Sequence, residues 1–200
     1  MALTMTQNKV LAEVFGPASG TGRLIKQAVL VVLGIAALAI AAKIQVPMWP
    51  VPVTMGTFAV LALGAAYGPQ LGLITIAGYM ALGVLGADVF AGSSAEANGI
   101  AYMMGGTGGY LVGYVLATVA LGLFARRGWD RSMGRMAVAM LVGNAIIYVP
   151  GVLWLGVLYG WDQPILQWGL WPFLVGDALK LALAAAVLPG MWKMVGDARA

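Results

Sequence analysis

Long apolar runs separated by short clusters of polar and turn-forming residues set the pattern of this chain. The runs cover residues 28–42, extended back toward Leu24, and 51–67, 71–87, 107–125, 136–159 and 170–192. Each approaches or exceeds the roughly 17 residues that a helix needs to cross a bilayer, so the pattern predicts six transmembrane helices. Glycine and proline punctuate the joins at Pro47, Pro50, Pro52, Gly68-Pro69, Gly105-Gly106 and Gly160, where interrupting a helix is least costly. Residues 1–27 read as a polar tail with a short amphipathic piece over 10–15, stopped by the turn formers Gly16, Pro17, Ser19, Gly20 and Gly22. A signal-peptide core at 28–42, with Ala39-Ile40-Ala41 as a small-x-small site, is the weaker reading because the polar lead before it is long. The chain is expected to form one membrane domain over 1–200, a tail (1–27) followed by a six-helix bundle (28–195).

Composition reinforces this pattern. The 200 residues are 62% hydrophobic and 9% charged, whereas about a quarter of a soluble domain is charged. Histidine and cysteine are both absent, which removes His-based triads, thiol catalysis, disulfides and the common metal-ligand sets. No GxxxxGK[ST] or GxGxxG occurs, so the chain carries neither phosphate cradle and any ATP-driven step needs another subunit.

The formal charge of +4 is explained by placement. Nine of the eleven basic residues (Lys9, Arg23, Lys26, Arg126, Arg127, Arg131, Arg135, Lys193 and Arg199) fall in the tails and in joins on one side; only Lys43 falls in an outer join, and Lys180 lies inside a span. This bias predicts an all-α integral membrane protein with both termini cytoplasmic. The cluster at 125–135 is then an inner loop, open to anionic lipid or a cytoplasmic partner and not to nucleic acid.

The sixth run holds the strongest chemical signal. Asp177 and Lys180 sit near its middle, where each costs roughly 2.5 to 3.5 kcal/mol to insert, so such residues usually pair, face a polar cavity and mark function. At i, i+3 they share a helix face; a purely structural ion pair is the alternative. Asn144 in the fifth run is a hydrogen-bonding candidate toward a ligand or a neighbouring helix. Gly105, Gly109 and Gly113 form a small-residue stripe suited to close packing and, less specifically, to an anionic ligand. Ala37 and Ala41 give the first helix a smooth face on which another membrane subunit can dock. The outer join 88–106 is long and carries aromatic and polar residues, which fits a loop folding over a cavity or simple interfacial anchoring by Trp49, Phe90 and Tyr102.

Four blocks together resemble the BioY family, the biotin-specific S components of energy-coupling-factor vitamin transporters. They are KIQVPMWPVPVTMGT (residues 43–57), YGPQLG with YMALG and then DVFAG (67–92), GGTGGYLVGY (105–114) and GDALK (176–180). The order and spacing of the blocks carry the resemblance over nearly the whole hydrophobic chain. Gly56, Gly106 and Asp88 depart from it, since relatives often have Gln, Pro and Pro there.

The resemblance implies an S-component-like bundle that binds biotin from outside without catalytic chemistry or cofactor. Its partners would be biotin, an energy-coupling transmembrane subunit, cytoplasmic ATPases and the lipid bilayer, with a homo-oligomer left open. Matched to biotin, Asp177 and Lys180 are candidate polar contacts, Phe90, Tyr110 and Trp49 candidate walls and lid, and Asn98 a polar contact from the loop, while Asn144 as a ligand contact and the coupling face at Ala37 and Ala41 rest on the residues alone. The rival readings are an S component for another small vitamin and a secondary transporter coupled to protonation of Asp177.

Overall fold

The architecture follows from five helices long and apolar enough to cross a membrane. In the computed structural model, which describes residues 9–93 and 98–197, these are α1 (Gly20–Lys43), α2 (Gly56–Val84), α4 (Gly108–Arg126), α5 (Met133–Tyr159) and α7 (Trp171–Asp197). Two short helices, α3 (Gly99–Met103) and α6 (Ile165–Gly169), sit in the connections. A two-residue ribbon pairs β1 (Gln45–Val46) antiparallel to β2 (Val53–Thr54), in the register Gln45 to Thr54 and Val46 to Val53. Within its loop the Trp49–Pro50 peptide is cis.

Six crossings come out of five helices because α2 is a helical hairpin. Gly68 takes φ +78° and ψ 175°, a conformation closed to most L side chains, and Pro69 follows it. In a continuous helix Gly64 and Gly72 would stand about 12 Å apart along the axis. A methyl group on Gly72 would instead lie 3.7 Å from Gly64 Cα, so the limbs 56–67 and 69–84 run back along each other. These limbs are the second and third predicted spans.

Glycine makes the centre of the bundle possible. A methyl on Gly64 would sit 2.7 Å from the Thr118 carbonyl oxygen of α4, and one on Gly113 would sit 2.7 Å from Ile147 Cα of α5. Gly109 likewise meets the Pro150 carbonyl, so Gly109 and Gly113 of the stripe serve helix packing, while Gly105 lies before α4 against the Tyr102 carbonyl. Leu61, Ala117, Leu121, Met140, Ile147 and Leu155 fill the core along α2, α4 and α5. A second apolar cluster joins Leu38 of α1 to Ile76 and Tyr79 of the hairpin's second limb.

Helix α1 begins at Gly20, before the apolar run itself, and takes Gly20 and Gly22 into the helix where the sequence predicts turns. Ahead of it a single 3-10 turn, Leu11–Glu13, occupies the segment expected to be amphipathic. Its apolar side is buried: Val10, Leu11 and Val14 join the main core, and Val10 packs on Gly68. Val195 near the end of α7 belongs to the same cluster, and Arg131 in the α4–α5 loop stacks 4.2 Å above the Trp192 ring. The N-terminal segment, the hairpin turn, the α4–α5 loop and the end of α7 therefore share one end of the bundle. The ribbon, α3 and α6 occupy the other.

Candidate functional site

Four polar side chains converge from three helices on one buried point. Asp177 and Lys180, one turn apart on α7, form a buried pair with 3.0 Å between Oδ1 and Nζ. Lys180 also donates to Thr57 Oγ1 at 2.9 Å, just inside the first limb of α2. Tyr148 of α5 donates its hydroxyl hydrogen to Asp177 Oδ2. Every charged atom of the pair thus has a partner, as a low-dielectric site requires.

Above this floor lies a small cavity of about 50 Å³. Its lower wall is polar: Thr57, Tyr148 and Lys180, with Thr54 and Tyr114 beside them. Its upper wall is aromatic: Tyr79, Phe90, Tyr102 and Tyr110. The Phe90 ring fills a notch left by Gly83, packs edge-on to Tyr79 at 5.2 Å and stacks on Tyr102 at 5.3 Å. Tyr110 donates to the Gly169 carbonyl at 2.7 Å, which fixes its ring against Tyr148 and Phe173. A second, shallower space bounded by Gln45, Pro47, Met48, Pro50 and Gly105 shares Pro52, Ala91, Tyr102 and Thr107 with the cavity, and so forms its vestibule at the ribbon end.

The loop carrying Phe90 is tied down from outside. Lys43 at the end of α1 meets Asp88 Oδ1 at 2.5 Å, and Ser93 Oγ donates to the same oxygen. The Phe90 N–H donates to Ser93 Oγ at 3.1 Å, and the Tyr102 hydroxyl donates to the Ala91 carbonyl. Lys43 and Ser93 hold the Asp88 carboxyl below its ordinary range.

Of the residues the sequence singles out, Lys180, Tyr110 and Phe90 line the cavity, and Asp177 lies behind Lys180 and Tyr148, outside the lining. Trp49 is 66% exposed and packs on Tyr159 and Trp168 at the rim, outside the cavity lining. Asn98 holds the N-cap position of α3 beside the vestibule wall without a side-chain cap bond, and Asn144 is buried in α5, one turn from Tyr148 on the side away from the cavity; neither lines it. Ala37 and Ala41 lie on α1, which leaves most of its surface outside the bundle. Thr57, Tyr148, Thr54 and Tyr114 complete the floor without having been singled out. Their one signal in sequence was position: Tyr114 follows Tyr110 by four residues, and Thr57 ends the proline-rich block.

Gly56, one of the departures from the resemblance, is crowded by neighbouring hydroxyls. A methyl there would lie 2.9 Å from Thr54 Oγ1 and 3.0 Å from the Tyr114 hydroxyl, and Thr54 Oγ1 accepts the Gly56 N–H at 2.9 Å. Two hydroxyls therefore stand where a longer polar side chain would have reached. Among the described residues no group of acidic, histidine or cysteine side chains is placed to hold a metal ion.

Comparison with known proteins gives one answer. A probable biotin transporter BioY of Pyrococcus horikoshii is 38% identical over 162 residues, covering 81% of this chain and 93% of the relative. The biotin transporter BioY of Thermotoga maritima is 32% identical over 152 residues, 76% of this chain and 87% of that one. A crystal structure of the S component for biotin from an ECF-type ABC transporter shares the fold, with a TM-score of 0.74 at 22% identity over 88% of this chain and 95% of the other. With the BioY family model matching residues 6–197, the chain belongs to the BioY family.

Proposed function

We propose that this protein is the biotin-binding membrane subunit of an energy-coupling-factor transporter. It takes biotin from the outer face through the vestibule and holds it above the Asp177–Lys180 floor. The observation that carries the reading is that floor: a buried acid–base pair supplied with two hydroxyl groups under an aromatic wall, in a chain whose relatives are named biotin transporters. A ureido group needs both donors and acceptors, a carboxylate needs a cation or donors, and the thiophane ring and valeryl chain need apolar walls. Asp177, Tyr148, Lys180 and Thr57 supply the first two, and Phe90, Tyr79, Tyr102 and Tyr110 the third.

The bias of the basic residues supports cytoplasmic termini, with the vestibule opening outward. Transport energy would come from a transmembrane coupling subunit and cytoplasmic ATPases, since this chain has no phosphate cradle. The exposed Ala37 and half-exposed Ala41 on α1 offer the coupling subunit a smooth docking face. The chain acts by binding and reorientation, and its chemistry is confined to hydrogen bonds and charge.

A ligand panel in a thermal-shift assay on the purified protein tests the reading. Biotin should raise the melting temperature and other small vitamins should not. Asp177→Ala and Lys180→Ala should insert into the membrane and lose high-affinity biotin binding, whereas unchanged affinity in both would sink the site assignment.

A further inference from the structure

A second polar concavity lies at the far end of the bundle, where the N-terminal segment docks. It is bounded by Lys9 and Glu13 of that segment, Arg23, Lys26, Gln27 and Leu30 along one face of α1, Tyr67 and Gln70 at the hairpin turn, and Arg126 at the end of α4, around about 220 Å³ of space. Four of these side chains are cationic and Glu13 is the only carboxylate among them. No step of biotin capture uses this end.

Two of the cations build the walls. Arg126 grips Glu13 through both carboxylate oxygens at 2.9 and 2.6 Å, and Lys26 donates to the Ala12 and Phe15 carbonyls at 3.1 and 3.0 Å. The other two, Lys9 and Arg23, stand at the rim and have no carboxylate partner among the described residues. Around the helix from Arg23, Leu24 and Ile25 are exposed apolar side chains at the first turns of a membrane-spanning helix. A charged recess thus opens at the level where apolar helix surface begins. That is where a lipid phosphate sits while its acyl chains run beside α1.

We infer that this recess binds the headgroup of an acidic phospholipid from the leaflet on the side of the termini. Arg23 and Lys9 engage the phosphodiester, and Gln27, Gln70 and Tyr67 form the polar floor beneath it. The lipid would then brace the docked N-terminal segment against α1 and the hairpin turn.

The test is native mass spectrometry of the full chain in nonionic detergent with phosphatidylglycerol, with phosphatidylcholine of the same acyl chains, or with inorganic phosphate. One phosphatidylglycerol per chain should bind on the order of tenfold better than phosphatidylcholine, because two cations face the extra charge. The Lys9→Gln, Arg23→Gln double variant should lose this preference with unchanged helical circular dichroism. Gln70→Glu, which adds a carboxylate to the floor, should weaken it independently. Arg135→Gln removes an exposed charge from the first turn of α5 outside the recess and should leave it intact. Equal loss in Arg135→Gln, retention in both recess variants, or displacement of the lipid by millimolar phosphate would overturn the inference. Each of these readouts is separate from biotin affinity.

Discussion

Lys180 Nζ stands 3.0 Å from Asp177 Oδ1, one helical turn away on α7, with both side chains buried. Breaking such a pair by removing one partner leaves an uncompensated charge and costs about 3–5 kcal/mol, while replacing both can be nearly neutral. Lys180→Met and Asp177→Asn should therefore each lower the unfolding temperature, and the Asp177→Asn, Lys180→Met double variant should recover most of the loss. Biotin binding should stay absent in the double variant. A double variant that binds biotin at the original affinity would reduce the pair to a packing device.

Tyr148 and Thr57 bring hydroxyls to that pair from two other helices. Tyr148→Phe leaves Asp177 Oδ2 without its donor, and Thr57→Val leaves Lys180 without one acceptor; a lost bond to a charged group is worth about 1.5–3 kcal/mol. Each variant should bind biotin on the order of ten- to a hundredfold more weakly in equilibrium titrations. Asn144→Ala, one turn from Tyr148 and outside the cavity lining, should change affinity far less.

The fold-back of α2 predicts a selective rescue. A methyl at Gly72 would press on Thr118 Cγ2 at 2.9 Å, whereas a methyl at Gly64 would press on the Thr118 carbonyl at 2.7 Å. Gly64→Ala and Gly72→Ala should each destabilise by about 1–3 kcal/mol. Thr118→Ser removes Cγ2 but keeps the backbone, so it should rescue Gly72→Ala and leave Gly64→Ala destabilised in thermal unfolding.

The number of spans was legible because hydropathy and the Gly68-Pro69 breaker act locally, one on insertion and the other on backbone geometry. The same locality exposed Asp177 and Lys180, whose insertion cost needs no knowledge of neighbours. Tyr148 and Thr57 were hidden for the opposite reason: a tyrosine or threonine in an apolar run is unremarkable until helix rotation turns it toward the charge. Trp49 drew attention by its proline-rich surroundings, yet its ring packs with Tyr159 and Trp168, residues more than a hundred positions away. The docking of Val10, Leu11 and Val14 also depended on a distant partner, the gap over Gly68.

Asp130 gives the end with the termini a pH dependence. Its buried carboxylate accepts from Trp192 Nε1 at 2.5 Å, and burial pushes its pKa up to about 6 despite neighbouring Arg131. A carboxyl whose folded pKa exceeds its unfolded value favours folding most below the unfolded pKa, near 4, and loses that contribution as pH rises through about 6. Asp130→Asn keeps an acceptor for Trp192 and removes the ionisation. Its unfolding temperature should match the parent near pH 4 and exceed it at pH 7.5, with a difference on the order of 2 kcal/mol. A gap that is the same at both pH values would show that the carboxylate is not the source.

The Lys43–Asp88 contact predicts a kinetic effect at the cavity mouth. Lys43 ends α1, while Asp88 begins the loop that inserts Phe90 into the cavity wall, so their 2.5 Å contact holds the loop to a rigid helix. Both side chains are partly exposed, and pairs of that kind contribute at most about 1 kcal/mol, too little to decide whether the fold forms. That amount is enough to shift the fraction of time the loop is open. Lys43→Met and Asp88→Asn should therefore leave the unfolding temperature nearly unchanged while speeding biotin release severalfold in stopped-flow tryptophan fluorescence. Asp88 is ionised at neutral pH and its pKa is lowered in the folded protein, so its contribution is present above the ordinary carboxyl range and lost as pH falls through the folded value. Release from the parent protein should accordingly be constant from pH 6 to 8. Arg126→Gln, which breaks an ion pair of similar exposure at the opposite end, should not alter release, and an equal acceleration there would mean that the Lys43–Asp88 contact is no gate.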